Sequence, residues 1–198
     1  MKYINLELEK YYHIFNRGNN KENIFREDQN YLHFMSLYKK YIYPVADTFA
    51  YCLMPNHFHF LIRMKGEKTS KVSETFEVLD RPVWKPFADF FNSYSKAFNK
   101  KYNHTGSLFQ YKFKRNEVNT IEYLRELVIY IHRNPLSLAI DGNYQNYRYS
   151  SYPAIIRKGK TSICKDEVLS WFDTRENFIF CHNKSSVDDN FSALLRDV

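Results

Sequence analysis

Apolar and polar positions alternate along Tyr11 to Asn16, where Tyr12, Ile14 and Asn16 take one side and Tyr11, His13 and Phe15 the other. This predicts a strand that ends in the turn-rich Asn16-Arg17-Gly18-Asn19-Asn20. From Arg26 to Tyr41 the spacing changes to three and four residues, with Tyr31, Phe34, Met35 and Tyr38 on one stripe, a helix capped at Asn23 or Asp28. Alternation returns from Val45 to Cys52 and, after a bend at Pro55-Asn56, from His57 onward. Strand, helix, strand, strand is half of a ferredoxin-like arrangement. A polar stretch from Lys65 to Asp80 interrupts it as a loop.

After Pro86, Phe87, Phe90, Phe91, Tyr94 and Phe98 recur at helical spacing. Tyr94 falls on or beside that apolar stripe, so pattern alone makes it an ordinary core aromatic. Leu108 to Arg115 then alternates aromatic and polar residues, either a half-buried strand or a basic surface with platforms for stacked bases. A helix is expected from Thr120, as cap, to His132, stopped by Pro135. Val168, Leu169, Trp171 and Phe172 mark a small accessory helix, and residues beyond Asn183 read as a frayed tail. We therefore divide the chain into a domain over 1–155 and a helical extension over 156–198.

The composition narrows the chemistry. Phe and Tyr number 17 each and Gly only 5, a packed, aromatic-rich chain. There is no Gly-x-Gly-x-x-Gly or Gly-Lys-Ser/Thr loop, so no nucleotide cofactor is expected. The net charge is +7. The excess sits in the middle, where Arg81 to Asn134 holds ten Lys or Arg against four Asp or Glu. A polyanionic partner fits that middle. Three scattered cysteines make neither a disulfide scaffold nor a zinc knuckle. No apolar run approaches the ~20 residues of a membrane span, so no membrane association is expected and a cytoplasmic location is.

The segment Met54-Pro55-Asn56-His57-Phe58-His59-Phe60-Leu61-Ile62 concentrates the chemistry. Period-two alternation places His57 and His59 together while Phe58, Phe60 and Ile62 face the core. Two imidazoles can begin a divalent metal site, or form a polar stripe on a half-solvated sheet. A metal there would polarise a scissile phosphate and leave the nucleophile to another group. A tyrosine serves only when its phenol, with an ordinary pKa near 10, is activated.

With Tyr12-His13-Ile14-Phe15-Asn16-Arg17-Gly18, Asn92-Ser93-Tyr94-Ser95-Lys96-Ala97-Phe98-Asn99, Gly106-Ser107-Leu108-Phe109-Gln110 and Tyr130-Ile131-His132-Arg133-Asn134-Pro135 in one order around that strand, the chain resembles the single-tyrosine HUH transposases. The resemblance is to the branch associated with repetitive extragenic palindromes (REP), related to the IS200-like insertion-sequence enzymes, and covers roughly Tyr11 to Tyr152. It implies an α+β HUH endonuclease fold, a ferredoxin-like antiparallel sheet with helices packed on one face. It also implies a metal-dependent single-stranded DNA endonuclease and strand transferase that cuts at or near hairpins through a 5′-phosphotyrosine intermediate.

In that light His57 and His59 would bind Mg2+ or Mn2+, Tyr94 would be the nucleophile, and Asn99 would complete the metal shell despite an awkward i to i+5 spacing from Tyr94. His13 and Gln110, like His104, are candidates for a third ligand or a phosphate contact. Arg17, Lys96, Lys100, Lys101, Lys112, Lys114 and Arg115 would contact phosphates, giving affinity that falls with salt. The partner would be single-stranded DNA with hairpins, and a homodimer stays open because the relatives include dimers and monomers. The alternatives are a non-catalytic single-stranded nucleic-acid-binding protein that keeps the fold, and a phosphodiesterase that uses water.

Overall fold

A computed structural model describes residues 5–66, 82–110, 112–137 and 143–184. Four strands, β1 (Tyr11–Arg17), β2 (Ala46–Met54), β3 (His57–Met64) and β4 (Lys114–Val118), form one antiparallel sheet in the order β2-β3-β1-β4. The central pair is β1 with β3, in a register that sets Phe15 opposite His59 and Arg17 opposite His57. Helices α1 (Asp28–Tyr41) and α2 (Lys85–Tyr102) supply the two crossovers. The fold is α+β and antiparallel, as expected.

Alternation along β1 and β3 sorts the side chains into two cores. Tyr12, Ile14, Phe58, Phe60 and Ile62 meet Phe34 and Tyr38 of α1 and Phe87, Phe90, Phe91, Tyr94 and Phe98 of α2. This is the helix-covered face that was expected. The other face is covered as well. Helix α3 (Ile121–Ser137) and three short helices, α4 (Tyr152–Ile156), α5 (Lys165–Ser170) and α6 (Arg175–Lys184), pack there over Phe49, Ala50, Cys52 and Leu61. Strand β3 is accordingly buried on both sides, with Arg63 its only half-exposed residue.

Several boundaries moved from expectation for local reasons. The cap of α1 is Glu27, which forms a capping box with Asn30, rather than Asn23 or Asp28. Leu108, Phe109 and Phe113 do not form a strand with period two. They plug the α1/α2 core, and the strand is the polar Lys114–Val118 at the sheet edge. Thr120 caps α3 through the Tyr123 amide at 3.1 Å, as expected. Pro135 does not stop that helix. It lies in the last turn, where the one bond it forgoes, to the carbonyl of Ile131, costs little, and the helix reaches Ser137. Residues 156–184 contribute Ile163, Val168, Trp171, Phe172 and Phe178 to the second core. The expected loop from Lys65 to Asp80 lies outside the described residues beyond Gly66, and so does the tail after Lys184.

Edges and turns fix the end of the sheet where the histidines sit. The exposed edge of β2 is partly covered, with Leu53 N–H donating to Tyr149 O at 2.9 Å and Ser151 N–H to Tyr51 O at 3.0 Å. Pro55-Asn56 closes the β2-β3 hairpin, and Gly18 N–H donates to Asn56 O at 2.8 Å. A Cβ on Gly18 would stand 2.1 Å from Glu22 O, so only glycine lets the chain leave β1 there. No helix among the described residues is long and apolar enough to cross a membrane.

Candidate active site

His57 and His59 project from β3 toward α3. His59 is fully buried and His57 nearly so, which removes the reading of a solvated polar stripe. Their rings stand perpendicular with centroids 5.2 Å apart. Each is held from behind at Nδ1. His57 Nδ1 lies 2.6 Å from Asn56 Oδ1, and His59 Nδ1 lies 2.8 Å from His13 Nε2. A neutral imidazole has one N–H, and both ring nitrogens of His57 face an amide oxygen, Nδ1 that of Asn56 and Nε2 that of Asn134, so it donates to one of the two. With the proton at Nδ1, on the shorter contact, Nε2 would carry the lone pair. The Nε2 of His59 is buried without a partner.

Helix α3 closes this site. Tyr130 sets its ring edge-on to His59, centroids 5.4 Å apart and planes at 84°. One turn later Asn134, buried, puts Oδ1 3.0 Å from His57 Nε2. Spacing i to i+4 brings both onto one helix face. Burial raises the Tyr130 phenol above its usual pKa, and a hydrogen bond with Asn134 pulls it partly back. Burial dominates the histidines too, lowering His57 to about 4 and His13 to about 3. Arg17, opposite His57, adds charge that disfavours its protonation.

The site residues expected from sequence are only partly brought together. Tyr94 is on the other side of the sheet. Phe58 and Phe60 point toward its helix, so the alternation that points the histidines one way sends Tyr94 to the opposite face. Its ring packs edge-on to Phe34, its hydroxyl donates to Ile24 O at 2.5 Å, and burial drives its pKa up, against activation. Tyr94 is a core residue. Asn99 fails with it, because its side chain closes the loop after α2, donating to Gly106 O at 3.0 Å and meeting His104 Nδ1 at 2.9 Å. Sequence reasoning missed Tyr130 and Asn134, although they stand in a segment it had singled out.

The polar and basic candidates divide in the same way. His13 is fully buried beneath Phe15, centroids 4.5 Å apart, and supports His59 rather than reaching a phosphate. Arg17 and Lys114 lie on the histidine side, Lys114 Nζ 5.7 Å from the centre of the Phe15 ring. Gln110 extends this edge through its N–H to Arg17 O at 2.9 Å and, with Asn19, Asn20 and Lys21, lines an open hollow of about 430 Å³. Lys112 is exposed nearby. Arg115 turns to the other face, over Phe113, and Lys96, Lys100 and Lys101 are exposed on α2, with Lys101 paired to Glu27.

Among the described residues no group of three or more His, Cys, Asp or Glu is placed around one point as metal ligands. The donors here are two imidazoles and an amide. They fit a small divalent ion because both rings are fixed at Nδ1 and the buried Nε2 of His59 has no other partner.

The order βαββαβ makes the sheet ferredoxin-like, with the paired histidines under the helix that follows β4. Among solved structures, the chain matches a REP-associated tyrosine transposase bound to a REP hairpin, with a TM-score of 0.56 at 14% identity over 80% of this chain and 86% of that one. The protein has the fold of that transposase. A bacterial tRNA(His) guanylyltransferase-like protein in complex with GTP aligns at a TM-score of 0.40 and 12% identity over 72% of each chain. No protein-family model matches the sequence, and no curated protein matches it.

Proposed function

We propose that this protein is a metal-dependent single-stranded DNA endonuclease and strand transferase that acts at hairpins, with Tyr130 as its nucleophile. The observation that carries the proposal is the meeting of Tyr130 and Asn134 with His59 and His57 across the α3-sheet contact. His57 and His59 through Nε2, and Asn134 through Oδ1, would hold Mg2+ or Mn2+. An ion held there would neutralise charge developing on the scissile phosphate.

Tyr130 Oη attacks phosphorus, and the P–O3′ bond breaks as the P–Oη bond forms. The phenolic proton leaves to water and the departing 3′ oxygen takes one up, giving a free 3′ hydroxyl and a 5′-phosphotyrosine. Attack by a 3′ hydroxyl reverses the step and joins strands. A phenol that ordinarily titrates near 10, raised further here by burial, is protonated at neutral pH, so a bound ion and phosphate would supply its activation. Arg17 and Lys114 would carry the backbone past the histidines. The hairpin as ligand is supported by the REP-hairpin-bound transposase of like fold.

The test is a denaturing gel of labelled single-stranded hairpin DNA incubated with protein and Mn2+. We expect a protein-linked band that disappears with EDTA and with Tyr130→Phe and persists with Tyr94→Phe. Hairpin binding without adduct or cleavage over a broad set of hairpins would instead make the protein a non-catalytic binder. Cleavage surviving in Tyr130→Phe would point to water as nucleophile.

A further inference from the structure

Helix α3 carries a second polar set on its other side. At ~100° per residue, His132 lies about 200° around the helix from both Tyr130 and Asn134. It is fully buried against α6 and the chain before α4. His132 Nδ1 lies 2.9 Å from His182 Nε2 on α6, and His132 Nε2 lies 2.8 Å from Ser151 Oγ. At one end His182 Nδ1 meets Phe178 O at 2.8 Å, and at the other Tyr51 N–H of β2 donates to Ser151 Oγ at 2.8 Å.

The Phe178 carbonyl, together with the burial of both rings, sets the protons in this chain. A carbonyl only accepts, so His182 carries its proton at Nδ1 and accepts at Nε2. His132 must then donate from Nδ1 and accept at Nε2, which Ser151 Oγ–H supplies. With both imidazoles neutral, the form that burial favours, every ring nitrogen in the chain has a partner. Arg133 adds a bond from its guanidinium to the His182 carbonyl. The chain thus ties α6 to α3 and α3 to Tyr51, whose neighbour Cys52 pairs with His59.

We propose that His132 and His182 are positioning residues, a buried joint through which α6 sets the depth and rotation of α3 and so holds Tyr130 over His59. This rests on Tyr130 as the nucleophile. A displacement of about 1 Å at a reacting group can cost on the order of 100-fold in rate, so a helix held from only one side would be a poor carrier for it. The joint also gives residues 156–184 a role in catalysis that their distance in sequence from the histidines hides.

His182→Leu removes the acceptor for His132, whereas His182→Gln can still accept from His132 and donate to Phe178 O. We expect His182→Leu to lower the single-turnover rate of adduct formation by about 10- to 100-fold, with hairpin Kd within about twofold of wild type and most of the rate restored in His182→Gln. The second readout is the 13Cζ resonance of Tyr130, assigned by its loss in Tyr130→Phe. It should move in His182→Leu and return in His182→Gln. If wild type forms no adduct the nucleophile reading fails, while this resonance still decides whether the joint positions the ring. If His182→Leu does not fold, Ser151→Ala breaks the other end and should move the resonance the same way. A folded His182→Leu or Ser151→Ala protein with the wild-type Tyr130 resonance and rate overturns the proposal.

Discussion

Tyr94→Phe separates the two tyrosines by what each loses. Tyr94 has about 1% of its surface exposed, sits among Phe25, Phe34, Phe98 and Phe109, and spends its hydroxyl on Ile24 O. Phenylalanine keeps the ring and strips that buried carbonyl of its donor, a cost of about 1–2 kcal/mol. At ~2–4 °C per kcal/mol for a chain of this length, Tm should fall by about 2–8 °C. Tyr130 is half-exposed, and Tyr130→Phe should move Tm by ~2 °C or less while abolishing the adduct. Thermal unfolding and the adduct gel on the same preparations give the comparison. Tyr94→Phe with unchanged Tm and no adduct, beside an active Tyr130→Phe, would refute the assignment.

Replacing His13 by Phe should weaken Mn2+ binding by about 10- to 100-fold in calorimetry, since it removes the group behind His59 Nδ1. Unchanged affinity would exclude His13 from that support. The metal-free protein should lose stability as pH falls. His13, His57 and His182 have folded pKa values of about 3, 4 and 3 against an unfolded value near 6.5, so below ~6.5 the unfolded chain binds more protons. Each then costs up to ~1.4 kcal/mol per pH unit, a loss that levels off below about pH 3. Urea midpoints in EDTA should be steady above pH 7 and fall steeply from pH 6 to 5, and a flat profile there contradicts neutral burial. Lys114→Ala should reduce the slope of log Kd against log salt for single-stranded hairpin DNA by about 0.7, as for one lost phosphate contact, while Lys96→Ala on the opposite side leaves it unchanged.

Much of the fold was legible because the hydrophobic period changes where the elements change. The strand at Tyr11, the helix ending at Tyr41, the Pro55-Asn56 bend and the helix after Pro86 all follow from spacing. The edge strand Lys114–Val118 was not legible. Four of its five residues are polar or charged, and its half-exposed side chains have no apolar face to alternate. The aromatic run before it advertised a strand and forms a plug instead, because a loop that packs its own Phe109 and Phe113 into the core needs no period. The end of α3 was misplaced for a different reason. Proline forbids the interior of a helix but not its last turn, and that turn carries Asn134.

The histidine pair was readable from alternation alone, but the tyrosine it meets was not readable from any local pattern. Both α2 and α3 are amphipathic and both bear a tyrosine, and amphipathicity does not say which sheet face a helix covers. Topology does. In the order β2-β3-β1-β4, β1 runs parallel to β2 and β3 to β4, so α1 and α2 are crossovers of the same hand. Right-handed crossovers in one sheet put both helices on one side. Once Phe58 and Phe60 are assigned to that side, His57 and His59 must face the element that follows β4, which is α3. On that helix a residue one turn from Tyr130 shares its face, and Asn134 stands there. Sequence similarity to a motif around Tyr94 competes with this argument and loses, because no rotation of α2 about its own axis carries a side chain through a sheet buried on both faces.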